Sequence, residues 1–325
     1  MIIELFEVAI VGPIMEMIGF PAFFFEVVIG GLMAGVMYSL VALGFVLIFK
    51  ASGVFNFAQG VMALFAALTL VGLMTGTIPL FRSQVEWLAL PAWIAIILTI
   101  VVMIGLAYLV ERFVLRPLVN QDPIIMFMAT IGLAFALEGA GDILWGSEVK
   151  PLDVGIPQGF FMWQGIQFQI FDMWAAGTAA VLVTVLAIFF QKTRIGRALR
   201  AVADDHQAAL SVGIPLKTIW VIVWSVAGIV ALVAGVMWGS KSGVQFSLSL
   251  IALKALPVLI LGGFTSVPGA IVGGLIIGVG EKLAEVYWGP LVNGAIENWF
   301  AYVLALVFLL FRPQGLFGEK IIERV

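Results

Sequence analysis

The sequence predicts an all-α, polytopic helical membrane protein with about eight to ten transmembrane helices, some of them interrupted or half-length. Of its 325 residues, 63% are hydrophobic and 11% are charged, whereas a typical soluble domain has about 25% charged residues. Because so little charge cannot cover a water-soluble surface, lipid must surround much of the chain. Apolar runs close to the length of about 20 residues that crosses a bilayer recur along the sequence, with most cations between them.

The apolar runs set the expected order of the helices. They cover 27–49, 54–75, 92–111, 124–145, 173–191, 219–240, 250–262, 266–286 and 297–311. The run 250–262 is too short to cross the hydrocarbon, so we expect a half-helix, a re-entrant segment or a steeply cut span. Residues 2–20 are apolar but broken by Gly12 and Pro13, which predicts an interfacial helix or a short, poor span. The first cation is Lys50, so the N-terminus lacks the basic start of a signal peptide.

The cations predict the orientation. When the runs alternate across the membrane, eleven of the sixteen Lys and Arg residues fall on one side, which the positive-inside rule makes cytoplasmic. They are Lys50, Arg112, Arg116, Lys192, Arg194, Arg197, Arg200, Lys217, Arg312, Lys320 and Arg324. This arrangement puts the C-terminus in the cytoplasm. A re-entrant 250–262 would reverse the later segments, and the cations of the tail argue against that.

Three parts follow from this arrangement. Residues 1–26 form the N-terminal interfacial helix or poor span, 27–318 form a single transmembrane domain, and 319–325 form a cytoplasmic tail. The external loop 146–172 has Pro and Gly between short alternating runs, which predicts small hairpins rather than a separate domain.

The cytoplasmic loop 192–217 has the longest polar, basic stretch of the chain, and it has helical features. Apolar residues at helical spacing predict a first short helix: Ile195, Ala198, Leu199 and Val202. Asp204 or Asp205 can cap a second helix, which Gly213 would end before Pro215. Such a structured loop predicts a docking surface; the alternative is an orientation signal with incidental helicity.

Composition excludes several functions. With one histidine and no cysteine, the chain has no disulfide and no His/Cys metal site. It lacks the G-x-x-x-x-G-K-[ST] motif of P-loop ATPases, so ATP could drive it only through another chain. The net charge of −3 does not suggest nucleic-acid binding. We therefore expect no cofactor and no catalytic residue in this chain.

Two Gly-rich, polar interruptions mark candidate pathway segments, because membranes tolerate broken helices only where protein or a cavity surrounds them. Residues 50–62 contain Asn56 and Gln59, which either line a pathway or hydrogen-bond between helices. Residues 261–274 are better interpreted as a tight cytoplasmic turn. Close pairs of glycines elsewhere predict tight helix packing: Gly31 and Gly35, Gly235 and Gly239, Gly269 and Gly273, Gly274 and Gly278.

Two ionisable residues lie within predicted spans, where charge is costly. Glu138 and Lys254 either face a water-filled route, pair with each other, or lie near an interface. Their pairing is a hypothesis.

Four stretches resemble a known family. They are VIGGLMAGVMYSLVALGFVLIFKASGVFNFAQG (28–60), RIGRALRAVADDHQAALSVGI (194–214), LKALPVLILGGFTSVPGAIVGGLIIG (253–278) and FRPQGLFG (311–318). Together they resemble the membrane permeases of branched-chain amino acid ABC importers, of the smaller LivH type.

The resemblance implies a transmembrane permease subunit that forms half of the pathway for branched-chain or related amino acids. It implies a bacterial cytoplasmic (inner) membrane, a second permease chain (identical or homologous), two cytoplasmic ATPases that use ATP and Mg²⁺, and an external solute-binding protein. Expected pathway residues are Asn56, Phe57, Gln59, Glu138 and Lys254. Expected ATPase-coupling residues are Arg194, Arg197, Arg200, Asp205, Ala208, Gly213 and Ile214. A self-contained secondary transporter or channel for a small polar solute is the alternative.

Overall fold

The computed structural model describes residues 7–81, 84–118, 121–204, 209 and 211–318. These residues form eleven α-helices and one two-stranded hairpin. In chain order they are α1 (Gly12–Gly19), α2 (Pro21–Ser52), α3 (Gln59–Thr75), α4 (Ala92–Val110), α5 (Pro123–Trp145), β1 (Phe160–Trp163), β2 (Ile166–Gln169), α6 (Ile170–Lys192), α7 (Arg194–Asp204), α8 (Leu216–Ser242), α9 (Ile251–Gly262), α10 (Val267–Trp288) and α11 (Phe300–Phe311).

The polytopic helical fold class is confirmed, because every predicted apolar run contains a helix. Six helical stretches are long and apolar enough to cross a membrane: Pro21–Ser52, Ala92–Leu118, Pro123–Trp145, Ile170–Lys192, Leu216–Ser242 and Val267–Val292. Four apolar helices among the described residues are shorter: Ala9–Gly19, Gln59–Thr75, Phe246–Gly262 and Phe300–Phe311. The shorter ones match the expected half-length elements.

The short run at 250–262 is a short helix, as its length predicted. A 3-10 turn, Phe246–Leu250, leads into α9, which has 12 residues. At 1.5 Å per residue, α9 is about 18 Å long, well short of the hydrocarbon thickness of about 30 Å.

The loop before α6 contains the predicted hairpin. Strands β1 and β2 pair antiparallel with Phe161 opposite Phe168, and the two rings stack with centroids 5.2 Å apart. The two turn residues both have positive φ, 51° at Gln164 and 83° at Gly165. This is the backbone twist that two-residue hairpins favour.

The chain divides into two compact units. The terminal unit contains the residues through Ser39, Ile156–Ala179 and the residues from Lys254 on, and the central unit contains Leu40–Gly155 and Ala180–Leu253. Helices α2, α6 and α9 each contribute residues to both units. The predicted division at residues 26 and 318 remains a prediction.

In the central unit, α3 is the inner helix, and α4, α5 and α8 pack around it. Small residues allow these close contacts. A Cβ on Gly235 of α8 would collide with the carbonyl oxygen of Ala63 on α3, and one on Gly72 would collide with the Trp145 indole of α5. The predicted role of Gly235 in tight packing therefore agrees with its surroundings.

In the terminal unit, glycines of α2 face glycines of α10. A Cβ on Gly35 would collide with the carbonyl oxygen of Gly274, and a Cβ on Gly31 would lie 2.9 Å from the carbonyl oxygen of Gly278. The sequence predicted tight packing at Gly31 and Gly35 and at Gly274 and Gly278, and the structure brings these two pairs together across the helices, with their backbones in direct contact. Ser39 adds a hydrogen bond across the same helix pair, from its hydroxyl to the carbonyl of Ala270 at 3.2 Å.

Candidate solute pathway and ATPase-docking segment

The break between α2 and α3, which we call the amide break, comprises residues 53–59. Helix α2 ends at Ser52, and Gly53 continues with a φ of 68°, a conformation that suits glycine. Side chains replace the missing backbone partners. The Ser52 hydroxyl accepts from the Val54 amide at 3.3 Å, and Asn56 Oδ1 accepts from the Ala58 amide at 3.1 Å. The interruption is therefore an ordered turn inside the protein.

Asn56 and Gln59 are buried, with 0% and 1% exposure. Asn56 Nδ2 donates to Gln59 Oε1 at 3.4 Å, and Gln59 Nε2 donates to the carbonyl of Ala227 on α8 at 3.3 Å. All four amide polar atoms of the two side chains thus have a partner. This geometry fits the hydrogen-bonding alternative for both residues, since neither side chain presents a free polar atom.

Thr130 on α5 hydrogen-bonds to the amide break, and the sequence did not predict this contact. Its hydroxyl, fully buried, accepts from the amide of Phe57 at 3.1 Å and lies 3.2 Å from the carbonyl of Phe55. The ring of Phe55 stacks on Phe45 with centroids 4.7 Å apart. The sequence shows Thr130 only as a single threonine in an apolar span. Such threonines are too common for this one to be identified as a contact of the amide break. The half-buried side chain of Phe57 remains a pathway candidate.

The second polar region, which we call the lysine cluster, consists of Lys254, Glu281, Glu297 and Tyr38. Glu281 Oε1 accepts from Lys254 Nζ at 3.0 Å and from the Tyr38 hydroxyl at 3.0 Å. Lys254 Nζ also lies 3.7 Å from Glu297 Oε1. Glu281 is 1% exposed, and its Oε2 is buried without a hydrogen-bond partner among the described residues.

Glu297 is held in place by its own loop. The carboxylate of Glu285 accepts from the amides of Ala295 and Glu297, at 3.1 and 2.9 Å. Burial raises the pKa of Glu297, but the ammonium groups of Lys254 and Lys282 outweigh it and hold that pKa below its ordinary value. Lys282 Nζ donates to Glu297 Oε2 at 3.2 Å, so Glu297 has two cationic partners.

The structure gives Lys254 a different partner from the one that the sequence suggested. The sequence suggested a pair with Glu138. In the structure, Lys254 Nζ contacts the carboxylates of Glu281 and Glu297, which belong to the same unit as Lys254. Glu138 lies on α5 in the central unit and is half-buried. The sequence did not predict Glu281 as the partner, because Glu281 is 27 residues from Lys254 and lies within an apolar run. Among the described residues, no three His, Cys, Asp or Glu side chains converge as a metal site.

The predicted first helix of the cytoplasmic loop exists as α7, and a sharp turn sets its direction. The Thr193 hydroxyl accepts from the amide of Gly196 at 3.0 Å, as an N-cap. A Cβ on Gly196 would collide with the carbonyls of Phe189 and Phe190 at the end of α6. Thr193 and Gly196 therefore allow α7 to fold back closely on α6, and neither was among the predicted residues.

Helix α7 is amphipathic. Leu199 and Val202 are buried, and α7 packs on α8. On the opposite face the three arginines are exposed at helical spacing: Arg194, Arg197 and Arg200. This arrangement presents a cationic surface on a fixed helix, as a docking segment requires.

The rest of the loop is described in part. The Ile214 amide donates to the carbonyl of Ala209 at 3.0 Å, and Gly213 has a φ of 83°, which agrees with a helix that ends there. Pro215 then precedes α8. Two predicted coupling residues, Asp205 and Ala208, lie outside the described residues.

Two of the resembling stretches meet in the terminal unit. The turn between α9 and α10 accepts two backbone hydrogen bonds from the C-terminal stretch 311–318: the Leu316 amide donates to Leu261 at 2.8 Å, and the Phe317 amide to Gly262 at 3.2 Å. A Cβ on Gly315 would lie 2.7 Å from the amide nitrogen of Gly263. The stretch 311–318 therefore packs on the turn, which places both at the same end of their unit.

A family described as branched-chain amino acid transport system / permease component matches residues 27–312. The chain belongs to this family. The permease is 28% identical to the high-affinity branched-chain amino acid transport system permease protein BraD of Pseudomonas aeruginosa, over 93% of this chain and 98% of the relative. It is also 28% identical to the LivH protein of Escherichia coli K12, with the same coverage. The probable LivH of Methanocaldococcus jannaschii is 28% identical over 86% of this chain and 88% of that one.

Among solved structures, PsaBC from Streptococcus pneumoniae in complex with Fab matches 87% of this chain and 89% of its own, with 14% identity and a TM-score of 0.44. That similarity is too low to carry an argument. Family membership confirms the main functional interpretation over a self-contained transporter: the permease is a multi-pass transport subunit.

Proposed function

We propose that the permease is one of two membrane subunits of an ATP-driven importer that moves branched-chain amino acids or related solutes across a bacterial cytoplasmic membrane. The observation that carries the proposal is the family match over residues 27–312. Relatives that cover nearly the whole chain are named as high-affinity branched-chain amino acid permeases. The second permease chain is a copy or a homologue, and an external binding protein delivers the solute.

Two cytoplasmic ATPases dock on the loop 192–217 and supply the ATP and Mg²⁺ chemistry that this chain lacks. Helix α7 supports this assignment because Leu199 and Val202 are buried while its three arginines are exposed. A guanidinium row on a fixed helix suits carboxylates on a partner protein. The C-terminus then lies in the cytoplasm, as the cations of the tail predict.

Within the membrane, we infer different roles for the predicted pathway residues. Asn56 and Gln59 hold α3 to α8 through buried hydrogen bonds and do not contact solute. Lys254 and Phe57, both half-buried, remain the pathway candidates, together with Glu138.

Affinity purification of the tagged permease from native membranes, followed by mass spectrometry, tests the assembly. We expect a P-loop ATPase and a permease chain to co-purify, and the retained binding protein to bind L-leucine. Recovery of a stable permease without an ATPase would contradict the importer assignment.

A charge reversal tests the docking loop. Arg197→Glu should leave membrane insertion intact and reduce the recovered ATPase at least tenfold, because it places a carboxylate within the cationic row. The matched control is Arg112→Glu, which reverses an exposed arginine outside the loop, on the side predicted to be cytoplasmic. Equal ATPase recovery from both variants would show that α7 is not the docking surface.

A further inference from the structure

The lysine cluster has a buried hydrogen-bond acceptor that no described residue of the protein satisfies. Glu281 Oε1 has two donors, but Oε2 is buried and has none among the described residues. Buried polar atoms in proteins are nearly always paired, so an unpaired carboxylate oxygen requires an explanation. Ionisable groups within membrane spans commonly mark the route of a solute.

The charges of the cluster alternate from the interior outward. The side chains of Glu281, Lys254 and Glu297 are 2%, 30% and 35% exposed, in that order. The inner contact is a hydrogen bond of 3.0 Å, whereas the outer one, from Lys254 Nζ to Glu297 Oε1, is 3.7 Å. At that separation the outer contact is an ion pair without a hydrogen bond, and it is the easier of the two to exchange.

Glu297 can leave Lys254 without becoming an unpaired charge. Its Oε2 keeps the hydrogen bond from Lys282 at 3.2 Å, and its backbone amide stays bonded to Glu285. The lysine would then have an open position, next to the unused oxygen of Glu281. Once Glu297 has left, the Lys254–Glu281 ion pair has a free donor position at Lys254 Nζ and an unpaired acceptor at Glu281 Oε2.

We propose that Lys254 and Glu281 bind the zwitterionic head of the transported amino acid. The α-carboxylate takes the place of Glu297 at Lys254 Nζ, and the α-ammonium donates to Glu281 Oε2. This inference rests on the proposed importer function and assigns the site in this chain that holds the two charged groups of the solute. The contact involves no apolar side chain, so amino acids with different side chains share it.

The charge balance favours a zwitterion over a simple ion. The Lys254–Glu281 pair has no net charge, and a zwitterion leaves it neutral. A bare carboxylate or a bare amine would leave one uncompensated charge in a partly buried site, where isolated charges are strongly disfavoured.

The test uses the whole importer in proteoliposomes, with its ATPases, its second permease and its binding protein, and radiolabelled L-leucine as the probe. The informative variant is the double substitution Lys254→Met with Glu281→Gln, which removes both charges together and so avoids an unpaired buried ion. We expect it to retain binding-protein-stimulated ATPase activity while leucine uptake falls at least tenfold. The matched control, Lys241→Met at an exposed position of α8, should remain within twofold of the wild type.

The outcomes separate the two proposals. If the wild-type assembly shows no ATP-dependent leucine uptake, the importer function itself is wrong, and the site with it. If the wild type transports but the double variant does so within twofold, the importer stands and the zwitterion site is wrong. The second result would assign the cluster a structural role only.

Direct binding to the purified complex without binding protein provides an independent measurement. Glu297→Gln removes the competing carboxylate, so leucine should bind at least threefold more tightly than to the wild type. Compounds with only half of the zwitterion, 3-methylbutanoate and 3-methylbutylamine, should bind at least tenfold more weakly than leucine. Unchanged affinity in the variant, or equal affinity for the three compounds, would overturn the proposal.

Discussion

The amide break and the lysine cluster both introduce polar groups into helical spans, but their hydrogen bonding differs. In the amide break, every polar atom of Asn56 and Gln59 is paired, and neither side chain is charged. In the lysine cluster, two opposite charges meet, and a buried oxygen of Glu281 has no donor within the described part of the chain. A fully paired neutral network serves packing, whereas a charged site with an open acceptor is suited to binding.

The largest effect should come from removing one charge of the cluster. Lys254→Met leaves the 2%-exposed Glu281 carboxylate without its cation, and such a change typically destabilises a protein by about 3–5 kcal/mol. Because Lys254 is 30% exposed, we expect the lower end, about 3 kcal/mol. Thermal unfolding in detergent measures it. Adding Glu281→Gln should restore most of the loss; a double variant as unstable as the single one would show that the loss is not electrostatic.

A smaller loss should follow from opening the amide break. Gln59→Leu removes the Oε1 acceptor of the Asn56 amide, which then keeps only the weak Met62 Sδ acceptor at 3.5 Å. A buried polar group that loses its partner costs about 1–3 kcal/mol. The same substitution should leave leucine uptake per folded transporter unchanged, since we assign Gln59 a packing role. If uptake falls while stability is unchanged, Gln59 lies in the pathway, and the amide break does not differ from the lysine cluster in function.

Thr130 allows a more specific test of the same break. Thr130→Val removes the acceptor of the Phe57 amide, with an expected loss of about 1 kcal/mol. Thr99→Val is the matched control, because the equally buried Thr99 hydroxyl bonds to Ala95 of its own helix. The control should unfold within a degree or two of the wild type. Equal losses in both would mean that the bond to Phe57 contributes nothing.

The smallest effect should be the pH dependence at Glu297. A carboxyl whose pKa is lowered on folding stabilises the protein above its ordinary pKa of 4.5, and this contribution is lost as the pH falls through the lowered value. Wild type should therefore melt slightly above Glu297→Gln at pH 6, and the gap should close toward pH 3. A gap that persists at pH 3 would contradict an electrostatic role for Glu297.

Much of the fold could be predicted because lipid requires long apolar helices. Each apolar run contains a helix, and the end of the second loop helix at Gly213 was visible in the sequence. The partner of Lys254 could not be predicted, because Glu281 and Lys254 lie on different helices and only their packing decides which side chains meet. Thr130 was missed for the same reason, since a hydroxyl among apolar residues usually bonds to its own helix.

The sequence alone determined the membrane class, the order of the helices, the amphipathic α7 with its arginine row, and the resemblance that the family match then confirmed. These properties depend on local periodicity and composition. The tertiary structure decided that Gln59 bonds both to Asn56 and to α8, and that Lys254 pairs with a buried Glu281, one oxygen of which has no donor among the described residues. The bonds from Gln59 to α8 and from Lys254 to Glu281 depend on how separate helices pack, and close glycine contacts bring the backbones of both helix pairs together.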